Sequence, residues 1–238
     1  MANTVEDEYP WLESSKPDSR GAFIVIEGLD RAGKTTQVKR LCDSLYASGR
    51  NVKRLRFPDR TTSIGQMINS YLQSSTSLSD QTIHLLFSAN RWEKAEEIRD
   101  LIAKGYTIVC DRYYYSGMVY TSAKYLDGSP KKLDLKWCKN PEVGLPKPDL
   151  VVFLDLEAEE AEKRGGYGEE KYEEKSMQKR VREGFLGLRN GQLGFEDEAR
   201  NMRVLDAGKA IDEVADGVWD VVQSLLRRND LGELGTVR

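Results

Sequence analysis

Short apolar runs alternate along this chain with longer segments in which apolar residues recur every three or four positions. A short run rich in β-branched residues is typical of a buried strand, and the wider spacing is typical of an amphipathic helix. The runs predict five strands, at residues 22–27, 51–56, 106–110, 149–156 and 203–205. The spacing predicts helices at residues 36–45, 62–72 and 212–226, and one long helix from residue 80 to the turn at Gly105. Such alternation predicts an α/β fold with a mainly parallel sheet covered on both faces.

The loop between the first strand and the first helix carries the most informative motif. Residues 28–35 have the sequence G-L-D-R-A-G-K-T, which fits the pattern G-x-x-x-x-G-K-[ST] at every fixed position. Gly28 and Gly33 let the backbone approach a polyphosphate, and the helix that follows adds its positive N-terminal end. Lys34 can reach the β- and γ-phosphates, while the Thr35 hydroxyl can bind Mg²⁺. The motif predicts a P-loop NTPase.

Two other polar stretches follow predicted strands at the same edge of the sheet. They are Phe57-Pro58-Asp59-Arg60 and Asp111-Arg112. Ligands in parallel α/β sheets bind at the carboxyl ends of the strands, so we expect both stretches to meet the phosphate loop in one crevice.

Composition excludes several other classes of protein. The chain has 238 residues, a net charge of −3, 39% apolar and 32% charged residues, which predicts one globular domain without a general nucleic-acid surface. No apolar run approaches the roughly 18 residues of a membrane-spanning helix, so we expect no membrane partner. Residues 1–20 are polar and acidic, without an apolar signal core, and are expected to form a loose arm.

The cysteines and the single histidine argue against metal or triad chemistry. Cys42, Cys110 and Cys138 lack metal-ligand spacing, and their use indicates a reducing compartment, the cytoplasm with the nucleus as an alternative. His84 lies in an apolar helical stretch and is expected to be a packed residue rather than a general base.

Several separate stretches together resemble the thymidylate kinase family of the eukaryotic type. They are I-E-G-L-D-R-A-G-K-T-T at 26–36, L-R-F-P-D-R at 55–60, H-L-L-F-S-A-N-R-W-E at 84–93, D-R-Y-Y-Y-S-G at 111–117, G-L-P-K-P-D-L-V-V-F-L at 144–154 and A-E-K-R-G-G-Y-G-E-E-K-Y-E at 161–173. The resemblance implies a nucleoside monophosphate kinase fold: a five-stranded parallel sheet flanked by helices, with a mobile lid at about 157–180. It divides the chain into an arm at 1–20, a kinase domain at 21–228 and a tail at 229–238. It implies transfer of the ATP γ-phosphoryl group to dTMP, with Mg²⁺, by a homodimer.

The donor side implied by the resemblance centres on the phosphate loop. The expected ATP-binding residues are Gly28, Leu29, Asp30, Arg31, Ala32, Gly33, Lys34, Thr35, Thr36, Arg164, which would stack on adenine, and Lys209 beside the adenine. Arg31 can bridge the γ-phosphate and the acceptor phosphate as charge spreads in the transition state. Asp111 would help Thr35 to hold the metal, and the expected catalytic residues are Arg31, Lys34, Asp111 and Arg112.

The acceptor side needs cations for a dianionic phosphate and contacts for a base. Arg60 and Arg112 match the family positions for the phosphate. Phe87 is expected to stack on thymine, and Arg91, four residues later on the same helix face, to donate to a base carbonyl. The remaining expected dTMP contacts are Asp30 at the sugar 3′-hydroxyl, Phe57, Ser116, Gly117, Tyr120 against the 2′ position, and the lid residues Tyr172 and Gln178.

Two alternatives stay open. A deoxynucleoside kinase acting on thymidine shares the fold but does not need arginines at 60 and 112. A catalytically inactive nucleotide-binding module would not need Arg31, Lys34, Thr35 and Arg112 together. A regulatory GTPase is disfavoured, because the chain has no N-K-x-D, and its two D-x-x-G stretches lie before the first predicted strand, at 18–21, and inside the phosphate loop, at 30–33.

Overall fold

A computed structural model of the chain describes residues 19–164, 171–172, 174–191, 194–228 and 231–238. In this part of the chain five strands form one parallel sheet in the order β2-β3-β1-β4-β5. The strands are β1 Phe23–Gly28, β2 Val52–Arg56, β3 Thr107–Asp111, β4 Leu150–Asp155 and β5 Met202–Asp206. All five strands lie where the apolar runs predict them, within one or two residues at each end.

Helices cover the sheet. They are α1 Lys34–Ala47, α2 Ser63–Leu72, α3 Asp80–Trp92, α4 Ala95–Ala103, α5 Tyr114–Ser122, α6 Leu135–Lys139, α7 Ala158–Lys163, α8 Lys175–Arg189, α9 Glu196–Arg200 and α10 Ile211–Leu226, with a 3-10 turn at Asn140–Glu142. The strands β1 and β3 are fully buried, so the core lies along the middle of the sheet. None of the helices described is long and apolar enough to cross a bilayer.

The prediction of one long helix from residue 80 is wrong, because the structure has two helices separated at Glu93 and Lys94. The Lys94 amide donates to the carbonyl of Arg91, three residues earlier, and the Glu93 carboxylate accepts from Thr62 Oγ1 and Asn90 Nδ2. The break lets α4 pack on β3 while α3 packs on α2 and α5. One straight helix could not cover both places.

Helix α5 has no counterpart in the sequence prediction. All nine of its residues are buried, so it lacks the polar face that would reveal a helical period. Its position matters, because it begins three residues after the end of β3 and lines the crevice at the carboxyl edge of the sheet.

The last eight residues pack against the turn before β4. The Gly144 and Val237 amides donate to the carbonyls of Val237 and Leu145, respectively, and the Val237 side chain is buried. Arg20 forms a bidentate ion pair with Asp149 and also donates to the Leu231 carbonyl, which joins both ends of the described chain to β4.

Candidate active site

A cavity of about 520 Å³ opens at the carboxyl ends of the strands, and we call it the central cavity. Seventeen of the predicted site residues line it: Asp30, Arg31, Gly33, Lys34, Thr35, Thr36, Phe57, Arg60, Phe87, Arg91, Asp111, Arg112, Ser116, Gly117, Tyr120, Arg164 and Tyr172. The structure therefore brings the phosphate loop, the loop after β2, helix α3 and the start of α5 together, as the strand-end argument predicts.

The phosphate loop has the backbone geometry that its glycines permit. Gly33 has φ of 86° and immediately precedes α1. Gly28 has φ of 157°, and a Cβ there would lie 2.9 Å from the Leu154 carbonyl oxygen on β4. A side chain at Gly28 would push the loop away from the sheet, so glycine is required for this close approach.

Lys34 begins α1 and is buried below the loop that it follows. Its ammonium donates to the Leu29 carbonyl at 2.6 Å. Burial, and after it the nearby Arg112 charge, lower the pKa of the Lys34 ammonium to about 8. A polyphosphate in the cavity would reverse this shift, because opposite charge favours the protonated form.

Thr35 and Asp111 lie side by side at the floor of the cavity. The Thr35 hydroxyl donates to Asp111 Oδ2 at 2.8 Å. A hydroxyl and a carboxylate are hard oxygen ligands that suit Mg²⁺, which also keeps waters and phosphate oxygens in its shell. Among the described residues no group of three or more His, Cys, Asp or Glu side chains could hold a metal ion alone. The pair therefore fits a metal that arrives with a nucleotide.

Arg112 lies at the centre of a buried polar network. Its Nη2 donates to Asp30 Oδ1 at 2.5 Å, and its Nη1 donates to the Gly28 carbonyl and to Ser116 Oγ, both at 3.0 Å. These bonds use three of its five N–H groups, and the guanidinium also hydrogen-bonds the Tyr120 hydroxyl, so not all of its donors are used within the protein. Burial opposes the Arg112 charge, but Tyr120, Asp30 and Glu27 outweigh it and raise the pKa of the guanidinium.

Asp30 connects the phosphate loop to α5 and α8. Besides Arg112, it accepts from the Tyr120 hydroxyl at 3.2 Å and from Gln178 Nε2 at 3.0 Å. Burial raises the pKa of the Asp30 carboxyl, but the Arg112 and Lys34 charges outweigh burial and hold this pKa below its ordinary value. Asp30 is therefore a charged acceptor in the cavity.

Glu27, the last side chain of β1 before the loop, is a functional residue that sequence reasoning missed. It is fully buried and accepts from the Tyr113 and Ser116 amides and from Ser116 Oγ, so it caps the start of α5. Burial raises the pKa of its carboxyl, although Arg112 and Ser116 act in the opposite direction. A carboxylate within an otherwise apolar strand is the sequence signal that could have identified it.

Two arginines of the crevice adopt left-handed backbone conformations. Arg31 and Arg112 both have φ of 66°, which costs on the order of 1 kcal/mol or more for a residue with a side chain. Such strained conformations persist only where the surrounding contacts fix them, and they are frequent at active sites. Both are predicted catalytic residues.

The far end of the cavity is aromatic. Phe57 is buried against Tyr113, with ring centroids 5.6 Å apart, and Phe87 is half-buried above α2. Arg91 is buried on the same face of α3 as Phe87 and forms a bidentate ion pair with Glu142. This end offers a flat apolar surface with one cation, which suits a base that carries a carbonyl group.

Two described residues of the predicted lid, Arg164 and Tyr172, line the cavity. Arg164 donates to the carbonyls of Arg31 at 3.3 Å and Ala207 at 2.7 Å, so it bridges the phosphate loop and the loop after β5. Tyr172 lies between Tyr71 and Tyr120, with centroid distances of 6.1 and 5.9 Å. The lid glycines at 165, 166 and 168 lie outside the described residues.

Five predicted residues do not line the cavity. Gly28, Leu29 and Ala32 are buried behind it, Lys209 is exposed, and Gln178 acts through its hydrogen bonds to Asp30. Five lining residues were not predicted: Arg56, Pro58, Leu72, Tyr113 and Thr121. The arginine before Phe57-Pro58 could have been noticed, because it adds a cation beside Arg60.

His84 is a buried structural residue, as the sequence predicts. Its Nδ1 pairs with the Thr121 hydroxyl at 2.8 Å and its Nε2 with the Cys138 carbonyl at 2.9 Å. Burial, and after it the Arg91 charge, lower the pKa of the imidazole to about 4, so the ring is neutral at pH 7. The three cysteines are free and buried.

The comparisons with known proteins agree with this geometry. A family model described as Thymidylate kinase matches residues 26–218. The thymidylate kinase of Danio rerio is 46% identical over 90% of this chain and 97% of its own, and that of Homo sapiens is 43% identical over the same shares. A solved structure of thymidylate kinase from Candida albicans, described as having broad substrate specificity, matches with a TM-score of 0.81 and 40% identity. That match covers 93% of this chain and 100% of the Candida chain.

Proposed function

Because this chain belongs to the thymidylate kinase family, which transfers the γ-phosphoryl group of ATP to dTMP, we propose that the central cavity holds both substrates of this reaction. The enzyme phosphorylates dTMP and releases dTDP and ADP. One observation carries the assignment of the site: a phosphate loop and an arginine-lined aromatic pocket share a single cavity. In-line phosphoryl transfer needs donor and acceptor phosphates in such proximity.

The donor half of the cavity would bind ATP. Backbone amides of residues 28–36 and the N-terminal end of α1 face the β- and γ-phosphates, and the Lys34 ammonium moves from the Leu29 carbonyl to those oxygens. Arg31 lies in the same loop and stabilises the charge on the transferred group. Arg164, held between two backbone carbonyls, stacks on adenine, with Lys209 beside it.

The acceptor half would bind dTMP. Arg60 and Arg112 bind the phosphate, and Asp30 accepts from the sugar 3′-hydroxyl. Phe87 stacks on thymine, Phe57 packs beside it, and Arg91 donates to a base carbonyl. Tyr120 crowds the 2′ position, Ser116 and Gly117 form the wall of the pocket, and Tyr172 and Gln178 close it from the lid.

An ATP-dependent kinase works with a divalent metal ion, and we assign Mg²⁺ to this role. Thr35 and Asp111 would hold it, Asp111 through water. When bound, Mg²⁺ screens the charge of the β- and γ-phosphate oxygens. The hydrogen bond from Thr35 to Asp111 holds the two oxygen ligands next to each other.

We further propose a homodimer whose surface includes α2 and α3. Met67 on α2 is 52% exposed, and Leu85 and Trp92 are exposed two turns apart on α3. A second copy of the chain would cover these apolar side chains. A sedimentation mass near that of one chain would exclude the dimer.

The kinase domain would comprise residues 21–228. The free buried cysteines fit a reducing compartment, the cytoplasm or the nucleus.

A coupled ADP-release assay tests the function directly. The acceptors are dTMP, dUMP, UMP, CMP, AMP, GMP and thymidine, each with ATP and Mg²⁺. We expect turnover of dTMP well above all the others. Faster turnover of thymidine would establish the deoxynucleoside kinase alternative, and faster turnover of UMP or CMP would remove Phe87, Arg91 and Tyr120 from base recognition.

A further inference from the structure

Among the residues that the structure describes, Arg91 and Glu142 form the most deeply buried ion pair that touches the central cavity. Arg91 Nε and Nη2 donate to Glu142 Oε2 and Oε1 at 2.9 and 2.5 Å, and the two side chains are 3% and 0% exposed. The two parallel bonds fix the guanidinium plane as well as its position. Glu142 itself does not line the cavity.

The turn that carries Glu142 is attached firmly to the helix that carries Arg91. The Pro141 carbonyl accepts from Ser88 Oγ at 3.0 Å and from the Trp92 indole at 2.8 Å, and both donors lie on α3. The Gly144 amide then donates to the Val237 carbonyl, so the C-terminal segment supports the far side of the turn. Glu142 is therefore a fixed acceptor for Arg91.

The opposite side of the guanidinium is equally constrained. A Cβ at Gly117 would lie 2.6 Å from Arg91 Nη2, so only glycine at this position lets the guanidinium lie against α5. The bonds to Glu142 use one N–H of Nε and one of Nη2, so three N–H groups of Arg91 remain for other acceptors, and Arg91 lines the cavity. The pair thus determines where an N–H donor faces the base.

We propose that Glu142 is a positioning residue that sets the selectivity of the enzyme for thymine over cytosine. Thymine has carbonyl oxygens at positions 2 and 4, whereas cytosine has a carbonyl at position 2 and, at position 4, an amino group that cannot accept from a guanidinium. We therefore place the proposed Arg91 contact at position 4 of the base. A guanidinium fixed by two carboxylate bonds can discriminate between them, because it cannot turn away from the amino group. A glutamine at 142 would replace one acceptor by an amide NH₂, which repels the guanidinium and lets it rotate. This inference rests on the proposed contact between Arg91 and the base.

The test compares Glu142→Gln and Glu142→Asp with the unchanged enzyme. Titration calorimetry gives the Kd values for dTMP and dCMP, and steady-state assays give the KM values for dTMP and ATP. We expect the ratio of the dCMP Kd to the dTMP Kd to fall more than threefold, with KM for ATP unchanged within twofold. If the glutamine variant does not fold, the aspartate variant decides, because it keeps the charge and shortens only the reach.

Glu198→Gln is the matched control. Glu198 is a buried carboxylate that pairs with Lys139 at 2.7 Å and lies outside the cavity lining. The variant therefore measures the effect of removing a buried carboxylate charge away from the cavity. A selectivity ratio that stays within threefold in both Glu142 variants, or that falls equally in the control, overturns the proposal. Arg91→Lys distinguishes the role of Arg91 from that of Glu142. If this variant leaves the selectivity ratio unchanged, Arg91 does not recognise the base. If it changes the ratio and the Glu142 variants do not, only the positioning role fails.

Discussion

Replacement of Arg112 by alanine tests the acceptor half of the site. The substitution removes the 2.5 Å ion pair with Asp30 and the bonds to the Gly28 carbonyl and Ser116 Oγ. It also removes the guanidinium that lies 5.0 Å from the Tyr120 ring centroid. Arg112 therefore contributes to the stability of the empty enzyme and to the binding of dTMP, and the two effects can be measured separately.

Both magnitudes follow from the contacts. Loss of one charge-assisted bond to a buried partner costs about 1.5–3 kcal/mol. Asp30 keeps the Lys34 charge and its Gln178 bond, so we expect a loss of about 2 kcal/mol in the free energy of unfolding. For a chain of this size that lowers Tm by roughly 4–8 °C. Loss of bidentate phosphate binding, about 2–3 kcal/mol, lowers kcat/KM for dTMP roughly 30- to 150-fold.

Steady-state kinetics and thermal unfolding of the same preparation supply the two numbers. Arg182→Ala is the control, because Arg182 forms a bidentate pair with Asp155 at the end of β4 but does not line the cavity. The control is expected to lose stability and keep its KM for dTMP. If kcat/KM of Arg112→Ala stays within threefold of the unchanged enzyme, Arg112 does not bind the acceptor phosphate and the proposed site is wrong.

Two further predictions concern the donor cation and the base. The pKa of Lys34 is lowered from 10.5 to about 8 in the empty site, so between these values the free enzyme has a neutral amine that must take up a proton when ATP binds. The Kd for ATP should therefore rise as the pH increases above 8. Calorimetry in buffers of different ionisation enthalpy should detect the proton uptake. A Kd for ATP that stays constant up to pH 10 contradicts the lowered pKa of Lys34. Lys34→Ala is expected to lower kcat most, and its Kd for ATP should no longer rise above pH 8, because the titrating amine is gone; single-turnover kinetics and calorimetry measure the two effects. Phe87→Ala should raise KM for dTMP roughly tenfold, because stacking on a base contributes about 1–3 kcal/mol, and equal rises in KM for dTMP and ATP would assign Phe87 to the core.

The sequence predicts the elements whose signal is local. The phosphate loop lies between a β-branched run and an amphipathic segment. The run by itself predicts β1, and the helical spacing by itself predicts α1. Helix α5 is not predicted, because all of its residues are buried and the sequence therefore lacks the helical alternation of apolar and polar residues. The break at Glu93 and Lys94 escapes because both flanking segments are helical, and only packing on β3 separates them.

The same distinction holds within the site. Arg31 and Lys34 belong to a contiguous motif, whereas Glu27 and Glu142 act on residues that are far away in sequence. Glu27 caps a helix 86 residues later, and Glu142 orients an arginine 51 residues earlier. A buried carboxylate has no helical or strand period of its own, so single-sequence reasoning has no means of assigning it a partner.

These carboxylates account for how the protein itself orients the arginines of the site. Two of the arginines that we propose to contact dTMP are paired with acids. Arg112 pairs with Asp30 and Arg91 pairs with Glu142, so the protein itself fixes both guanidinium groups. Part of the free energy needed to desolvate and orient these cations is therefore spent during folding rather than during binding. The cost appears as buried charge and as left-handed backbone at Arg112. Substitution of Glu142, which lies outside the phosphate loop, should consequently impair the use of dTMP more than the use of ATP, and the KM values for the two substrates measure this difference.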